Sequence, residues 1–155
     1  MISSTHLHAM LIHFPIALLM VGFLSELIAF LNKKSFFGQV AFYLLILGTL
    51  GAMASYLTGR AAGKGMDEGA LGKALALHEH AAIFALWLII ATAVFYLALK
   101  IFNNNKPRWR MFGLVLFAAA IGVVAKTGYL GGQLVYKHGA GIELTLPDFS
   151  DPENN

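Results

Sequence analysis

Apolar residues fill four long segments of the chain, and polar residues gather in the short stretches between them. An α-helix needs about 20 residues to cross the hydrocarbon core of a bilayer. Each apolar segment is long enough to do so; they cover about residues 10–31, 36–58, 75–99 and 111–136. The pattern predicts an all-α integral membrane protein, an up-down-up-down four-helix bundle in residues 1–140 with a polar, acidic tail in residues 141–155.

The composition supports this interpretation. Hydrophobic residues make up 58% of the chain and charged residues 12%, whereas about 25% of a typical soluble domain is charged. The net charge of +3 comes from bases that flank the apolar segments, so we expect lipid around the bundle and no nucleic-acid partner. The chain has no cysteine. This excludes thiolate metal sites and covalent attachment of haem, and leaves histidine as the main soft ligand.

The distribution of bases predicts the orientation in the membrane. We name the membrane side that holds the N-terminus side A and the opposite side B. The two short side B loops contain six bases and no acid: Lys33, Lys34, Lys100, Lys106, Arg108 and Arg110. Basic residues of short loops stay in the cytoplasm. We therefore expect side B to be cytoplasmic and both termini to be periplasmic, in the inner membrane of a bacterium. Glu26 lies close to side B, where we expect it to be solvated.

All six histidines fall on side A. His6, His8 and His13 precede or open the first segment, His78 and His80 open the third, and His138 follows the fourth. Small residues, among them Ala17, Ala82 and Gly51, lie at the same depth. Small residues at one level indicate either close helix packing or a cavity for a flat cofactor, and the pattern leaves both open. Pro15 either begins the first helix or interrupts it.

Several motifs resemble a widespread family of bacterial inner-membrane proteins of unknown function. They are "HLHAMLIHFPIAL", "TGRAAG", "LHEH" and "GYLGGQLVYKHGAGI". The core from His13 to Ile16, the pair His78 and Glu79, and His138 match the family pattern, whereas Ala9 replaces its proline and His6 and His80 match nothing. The resemblance implies a four-helix membrane protein. Family members that occur beside redox and cytochrome domains favour electron transfer by association.

The first functional hypothesis is a b-type cytochrome-like protein for electron transfer. The first and third helices of an up-down bundle are diagonal, so a histidine from each can face the other across the core. Low-spin haem iron takes two neutral imidazoles, and we predict His13 and His78 as these ligands. Arg60 and Lys126 lie in the side A half and are predicted partners of the haem propionates. For Lys126 the alternative is that its long side chain reaches the membrane interface.

Two other hypotheses remain. A histidine-rich site can bind zinc or copper without haem, with His6, His8, His80 and His138 as further candidate ligands; His138 is alternatively part of a helix C-cap before Gly139. Otherwise the chain is a structural subunit without its own cofactor. We expect an electron-transfer or binding subunit more than a stand-alone enzyme. Expected partners are a redox protein such as a c-type cytochrome, or a second copy of the chain.

Overall fold

The computed structural model describes residues 3–66 and 68–142. These residues form four α-helices and no strand: α1 Ser4–Asn32, α2 Ser35–Ala62, α3 Gly69–Ile101 and α4 Pro107–His138. All four are long and apolar enough to cross a membrane. The predicted all-α, four-span architecture is confirmed. Most of the predicted tail, residues 143–155, lies outside the described residues.

The ends of α1 and α4 are defined by local capping. The Ser3 side chain accepts a hydrogen bond from the His6 backbone N–H at 3.3 Å, which satisfies one of the free amides of the first turn. α1 therefore starts six residues before the predicted segment, and Pro15 lies inside it. α4 ends at His138 because Gly139 adopts a positive φ of 66° and donates its N–H back to the carbonyl groups of Leu134 and Val135.

The helices pair into two hairpins. α1 packs most extensively on α2, and α3 on α4, whereas α2–α3 and α1–α4 meet over smaller areas. In the part of the chain that the structure describes, the backbones of α1 and α3 are not in contact, so these two helices are diagonal in the bundle. Within the first hairpin, Gly48 lets α2 approach Leu19 so closely that an added Cβ would lie 2.8 Å from its Cγ.

The hydrophobic core occupies the middle and the side B half of the bundle. Phe117 is fully buried there, with the Phe23 ring at 5.6 Å and the Tyr96 ring at 6.1 Å in edge-to-face contact. The remaining buried core residues are Leu19, Leu45, Ile89, Ala93 and Ala120. This packing ties both hairpins together on side B and leaves a space between them on side A.

Glu26 corrects one expectation. Its side chain is only 4% exposed, so the expectation that it is solvated at side B is wrong. The reason is its place on α1: Pro15, Leu19, Gly22 and Glu26 recur every three or four residues and are all buried, which puts the carboxyl group on the inner face of the bundle.

Candidate functional site: a histidine-lined cavity

A cavity of about 520 Å³ lies between the two hairpins at the side A end. All four helices contribute to its mostly apolar wall, and Leu19 and Ile89 of the core line it as well. The polar side chains that reach it include His8, His13, Ser55, Arg60, His78 and Glu79. Small-molecule sites have volumes of about 300–1,000 Å³ and combine an apolar wall with a few polar groups. The small residues thus serve both purposes: some pack helices and others make room for the cavity.

His8 is held by the neighbouring helix of its own hairpin. Its Nδ1 lies 3.2 Å from Oγ1 of Thr58. The Thr58 hydroxyl lies within hydrogen-bond distance of two carbonyl groups one turn back, those of Ala54 and Ser55. When it donates its hydrogen there, it accepts from His8, so that Nδ1 of His8 carries the proton and Nε2 keeps its lone pair. The ring rests on Gly59, where an added Cβ would lie 2.9 Å from the imidazole Cε1.

His78 is held in the same way in the second hairpin. Its Nδ1 lies 3.1 Å from the carbonyl oxygen of Thr127. A carbonyl oxygen only accepts, so Nδ1 is again the protonated nitrogen and Nε2 has the lone pair. The ring rests on Gly131, where an added Cβ would lie 3.2 Å from Cε1. The two histidines therefore present the same free nitrogen and the same support by a glycine.

His8 and His78 come to the one cavity from diagonal helices. Both side chains line its wall. After each histidine, residues that face the bundle interior follow at the same spacing along the helix. After His8 these residues are Ile12, Pro15, Leu19, Gly22 and Glu26. After His78 they are Ala82, Ala85, Ile89, Thr92 and Tyr96. The two helices thus face each other in register.

His13, predicted from the sequence, has a different position. Its side chain is exposed, and its Nδ1 lies 2.7 Å from the Ala9 carbonyl oxygen of its own helix. His13 is five residues after His8, so the two project about 140° apart on an α-helix. Only one of them can face the bundle axis directly, and the structure places His8 there and His13 at the margin of the cavity.

The other predicted site residues divide into two groups. Arg60 and Glu79 line the cavity, and the Glu79 carboxyl group lies against Gly63. Lys126 is exposed and is not part of the cavity wall; this placement fits a side chain that reaches the membrane interface. His6 and His80 are exposed, and half-buried His138 precedes the Gly139 cap.

A compact non-haem metal site is not assembled by these side chains. Within residues 3–66 and 68–142, no group of three or more histidine, cysteine or acidic side chains is close enough to hold a metal ion. Zn²⁺ sites in proteins use three or four protein ligands. The donors that the cavity does offer are the two Nε2 atoms on opposite hairpins.

Sequence reasoning ranked His8 below His13 as a candidate ligand and missed Thr58. The signal for His8 was the spacing of Thr5, His8, Ile12, Pro15 and Leu19, which follows one helical face once α1 is taken to begin before residue 6. Thr58 had no comparable signal, since a threonine near a helix end is common.

The comparisons with known proteins give one match. The family described as "Predicted membrane protein (DUF2231)" matches residues 4–144. No curated protein and no solved structure matches the chain.

Proposed function

The chain belongs to the DUF2231 family of predicted membrane proteins, and from its cavity we propose that it is a b-type cytochrome-like electron-transfer protein. In this proposal His8 and His78 bind haem iron through Nε2. The observation that carries it is the pair of imidazoles, one on each diagonal helix, each with Nδ1 engaged in a hydrogen bond and Nε2 free.

The residues of the cavity fit a non-covalently bound haem. The volume of about 520 Å³ and the mostly apolar wall suit a flat, largely apolar group. Hydrogen bonds at Nδ1 fix the orientation of a ligating imidazole and raise its basicity, and Thr58 and the Thr127 carbonyl supply them. The absence of cysteine leaves non-covalent binding as the available mode.

The chain's own groups have distinct roles in this proposal. Arg60 offers a cation to the carboxylates of a bound cofactor, a role that we propose for it in preference to Lys126. Leu19 and Ile89 keep water out of the inner end of the cavity. A bound haem would supply a one-electron redox couple, whose potential is set by its axial ligands and by the exclusion of solvent.

The cavity's place at side A points to the partner's location. We propose that side A is the periplasmic face of a bacterial inner membrane, because the six bases of the side B loops favour a cytoplasmic side B. A redox partner such as a c-type cytochrome would then meet the protein at the periplasmic end.

The orientation can be tested by labelling in intact cells. A cysteine introduced at Ser150 should react with an impermeant thiol reagent in intact cells, and one at Asn104 should not. The reverse labelling pattern would move the cavity to the cytoplasmic face.

Zinc or copper is the second candidate ligand of the cavity. Both metals accept neutral imidazole nitrogen, and Glu79 lines the same cavity as the two histidines. This candidate needs further ligands, which the described residues do not bring together.

The test is the visible spectrum of protein purified from cells with ample haem, before and after reduction, combined with alkaline pyridine extraction. We expect sharp low-spin bands and a haem that is extracted. His8→Ala and His78→Ala should lose the bands, whereas His80→Ala, an exposed control two residues from His78, should keep them. His13→Ala separates the two possible ligand pairs, because it should retain the bands if His8 is the ligand and lose them if the sequence-based choice is right. If the wild-type protein is colourless and binds zinc or copper, the haem proposal is wrong and the metal is the ligand of the cavity.

A further inference from the structure

A second polar group lies at the opposite end of the same two helices. Glu26 of α1 and Tyr96 of α3 each follow their histidine by eighteen residues. At about 1.5 Å per residue, this separates the two polar levels by about 27 Å along the helices. Between them lies the core around Leu19, Ile89 and Phe117.

Glu26 of α1 and Tyr96 of α3 both lie beside the Phe117 ring in the interior. Glu26 is 4% exposed. A Cβ added to Gly22, one turn before Glu26, would lie 3.4 Å from Cζ of Phe117, and the Tyr96 ring lies 6.1 Å from the Phe117 ring. The structure leaves Tyr96 Oη buried without a hydrogen-bond partner in the described part of the chain. Buried polar groups are usually hydrogen-bonded, so the Glu26 carboxyl group is the acceptor that we consider for the Tyr96 hydroxyl group.

The cations around this pair are directed elsewhere. The Arg110 guanidinium of α4 donates to the Ala29 carbonyl at 3.3 Å and lies 5.9 Å from the centre of the Phe30 ring, about one turn closer to side B than Glu26. Among the described residues it forms no direct ion pair with Glu26. Lys100 of α3 lies over the Phe42 ring of α2 at 4.1 Å. The side B half of α2 has only Tyr43 as an ionisable side chain, and Tyr43 is exposed.

We infer that Glu26 and Tyr96 form a proton-binding site in the side B half of the bundle. An ionised carboxylate in a membrane interior is expensive unless a cation pairs with it directly, and the hydrogen bond that the Arg110 side chain donates goes to the Ala29 carbonyl. One proton from water on side B converts the Glu26 carboxylate into a carboxylic acid. The acid carbonyl then accepts a hydrogen bond from the Tyr96 hydroxyl. This inference is independent of what occupies the histidine-lined cavity, because the site shares no residue with it.

The experiment is infrared spectroscopy of the purified protein at neutral pH. Exposed acids are ionised at this pH, so a carbonyl band of a protonated carboxylic acid reports a buried acid. We expect such a band in the wild type and its loss in Glu26→Gln. Tyr96→Phe should keep the band and shift it to higher frequency, because the carbonyl loses a hydrogen bond. Glu79→Gln, which changes a carboxyl group at the other end of the bundle, should leave the band unchanged.

Two outcomes would overturn the inference. The first is a wild-type spectrum with only carboxylate bands, which would show an ionised Glu26 neutralised at longer range by Arg110. The second is a protonated-acid band that survives in Glu26→Gln. If Glu26→Gln does not fold, the wild-type protein can be treated with a hydrophobic carbodiimide, which modifies protonated carboxyl groups in membranes. This treatment also tests whether Glu26 is protonated. Peptide mass mapping should locate the adduct on Glu26, and an unmodified Glu26 would reject the site.

Discussion

The two halves of the bundle are built on the same diagonal pair of helices but differ in the size of the residues that face the axis. On side A the inward positions of α3 are Ala82 and Ala85, and Gly131 of α4 lies against the imidazole of His78. On side B the inward positions include Tyr96, and Phe117 fills the centre. The Phe117 ring fills the centre of the bundle on side B, and small residues beside the two histidines make room for the cavity on side A. The difference teaches that residue volume, more than polarity, locates the candidate site.

The largest expected effect comes from filling the space that supports a histidine. Gly59→Leu puts a Cβ 2.9 Å from the His8 ring, so the imidazole must shift to make room for the leucine side chain. We expect loss of the haem bands in a protein that still folds, measured by the visible spectrum and by circular dichroism. Gly122→Leu is the matched control in α4, because no heavy atom lies within 4 Å of its added Cβ. Equal losses in both variants would contradict the specific role of Gly59.

The next largest effect should fall on stability at side B. Phe117→Ala removes the fully buried ring between Phe23 and Tyr96. Phenylalanine-to-alanine changes in cores cost about 3–5 kcal/mol, and we expect a comparable loss in the free energy of unfolding in detergent. Val115→Ala, a nearby residue of the same helix that is 59% exposed, should cost much less. A small effect of Phe117→Ala would show that the hairpins are held together elsewhere.

The third change tests how His8 is positioned. Thr58→Val keeps the shape of the side chain and removes the acceptor for His8 Nδ1. Loss of a hydrogen bond to a ligating histidine typically costs about 10- to 100-fold in metal affinity, and we expect a similar drop in haem affinity in a titration of the haem-free protein. Thr92→Val is the control, because the buried Thr92 hydroxyl donates only to Leu88 of its own helix. If the redox potential shifts in Thr58→Val and not in Thr92→Val, Thr58 positions His8 and does not act through a general structural effect.

The smallest effect is expected at Lys126. Its side chain is exposed and outside the cavity wall, so Lys126→Met should change stability by less than about 0.5 kcal/mol and leave haem content unchanged. Thermal unfolding in detergent and the haem-to-protein ratio measure these two quantities. A marked loss of haem would restore Lys126 as a partner of the propionates.

The sequence predicted the elements of the bundle better than their rotation. Four spans, the hairpin order and the diagonal relation of α1 and α3 followed from length and polarity. The rotation of each helix about its own axis was harder to predict. Residues that face lipid and residues that face the core are both apolar in a membrane helix, so the alternation of apolar and polar faces is weak. His78 lines the cavity. His13 was preferred over His8 because His13 matches the family motif and has a small residue, Ala17, one turn below it, whereas Ala17 is exposed.

Glu26 shows the same limit at the other end. Its distance from side B suggested contact with water, but its phase on α1 places it with Leu19 and Gly22 on the inner face. The inward orientation of Glu26 could have been predicted from the sequence, by following one face of a continuous helix α1 through Pro15. The hydrogen bond from His8 to Thr58 could not, since it depends on how α1 and α2 meet.

The most direct test of the central claim is the electron paramagnetic resonance spectrum of the oxidised wild-type protein and of His8→Ala. We expect a low-spin ferric signal with two imidazole ligands in the wild type. In His8→Ala this signal should convert to a high-spin signal or be lost, and in His13→Ala it should be unchanged. A high-spin wild-type signal, or a low-spin signal that survives in His8→Ala, would contradict the assignment of His8 and His78 as the facing ligand pair.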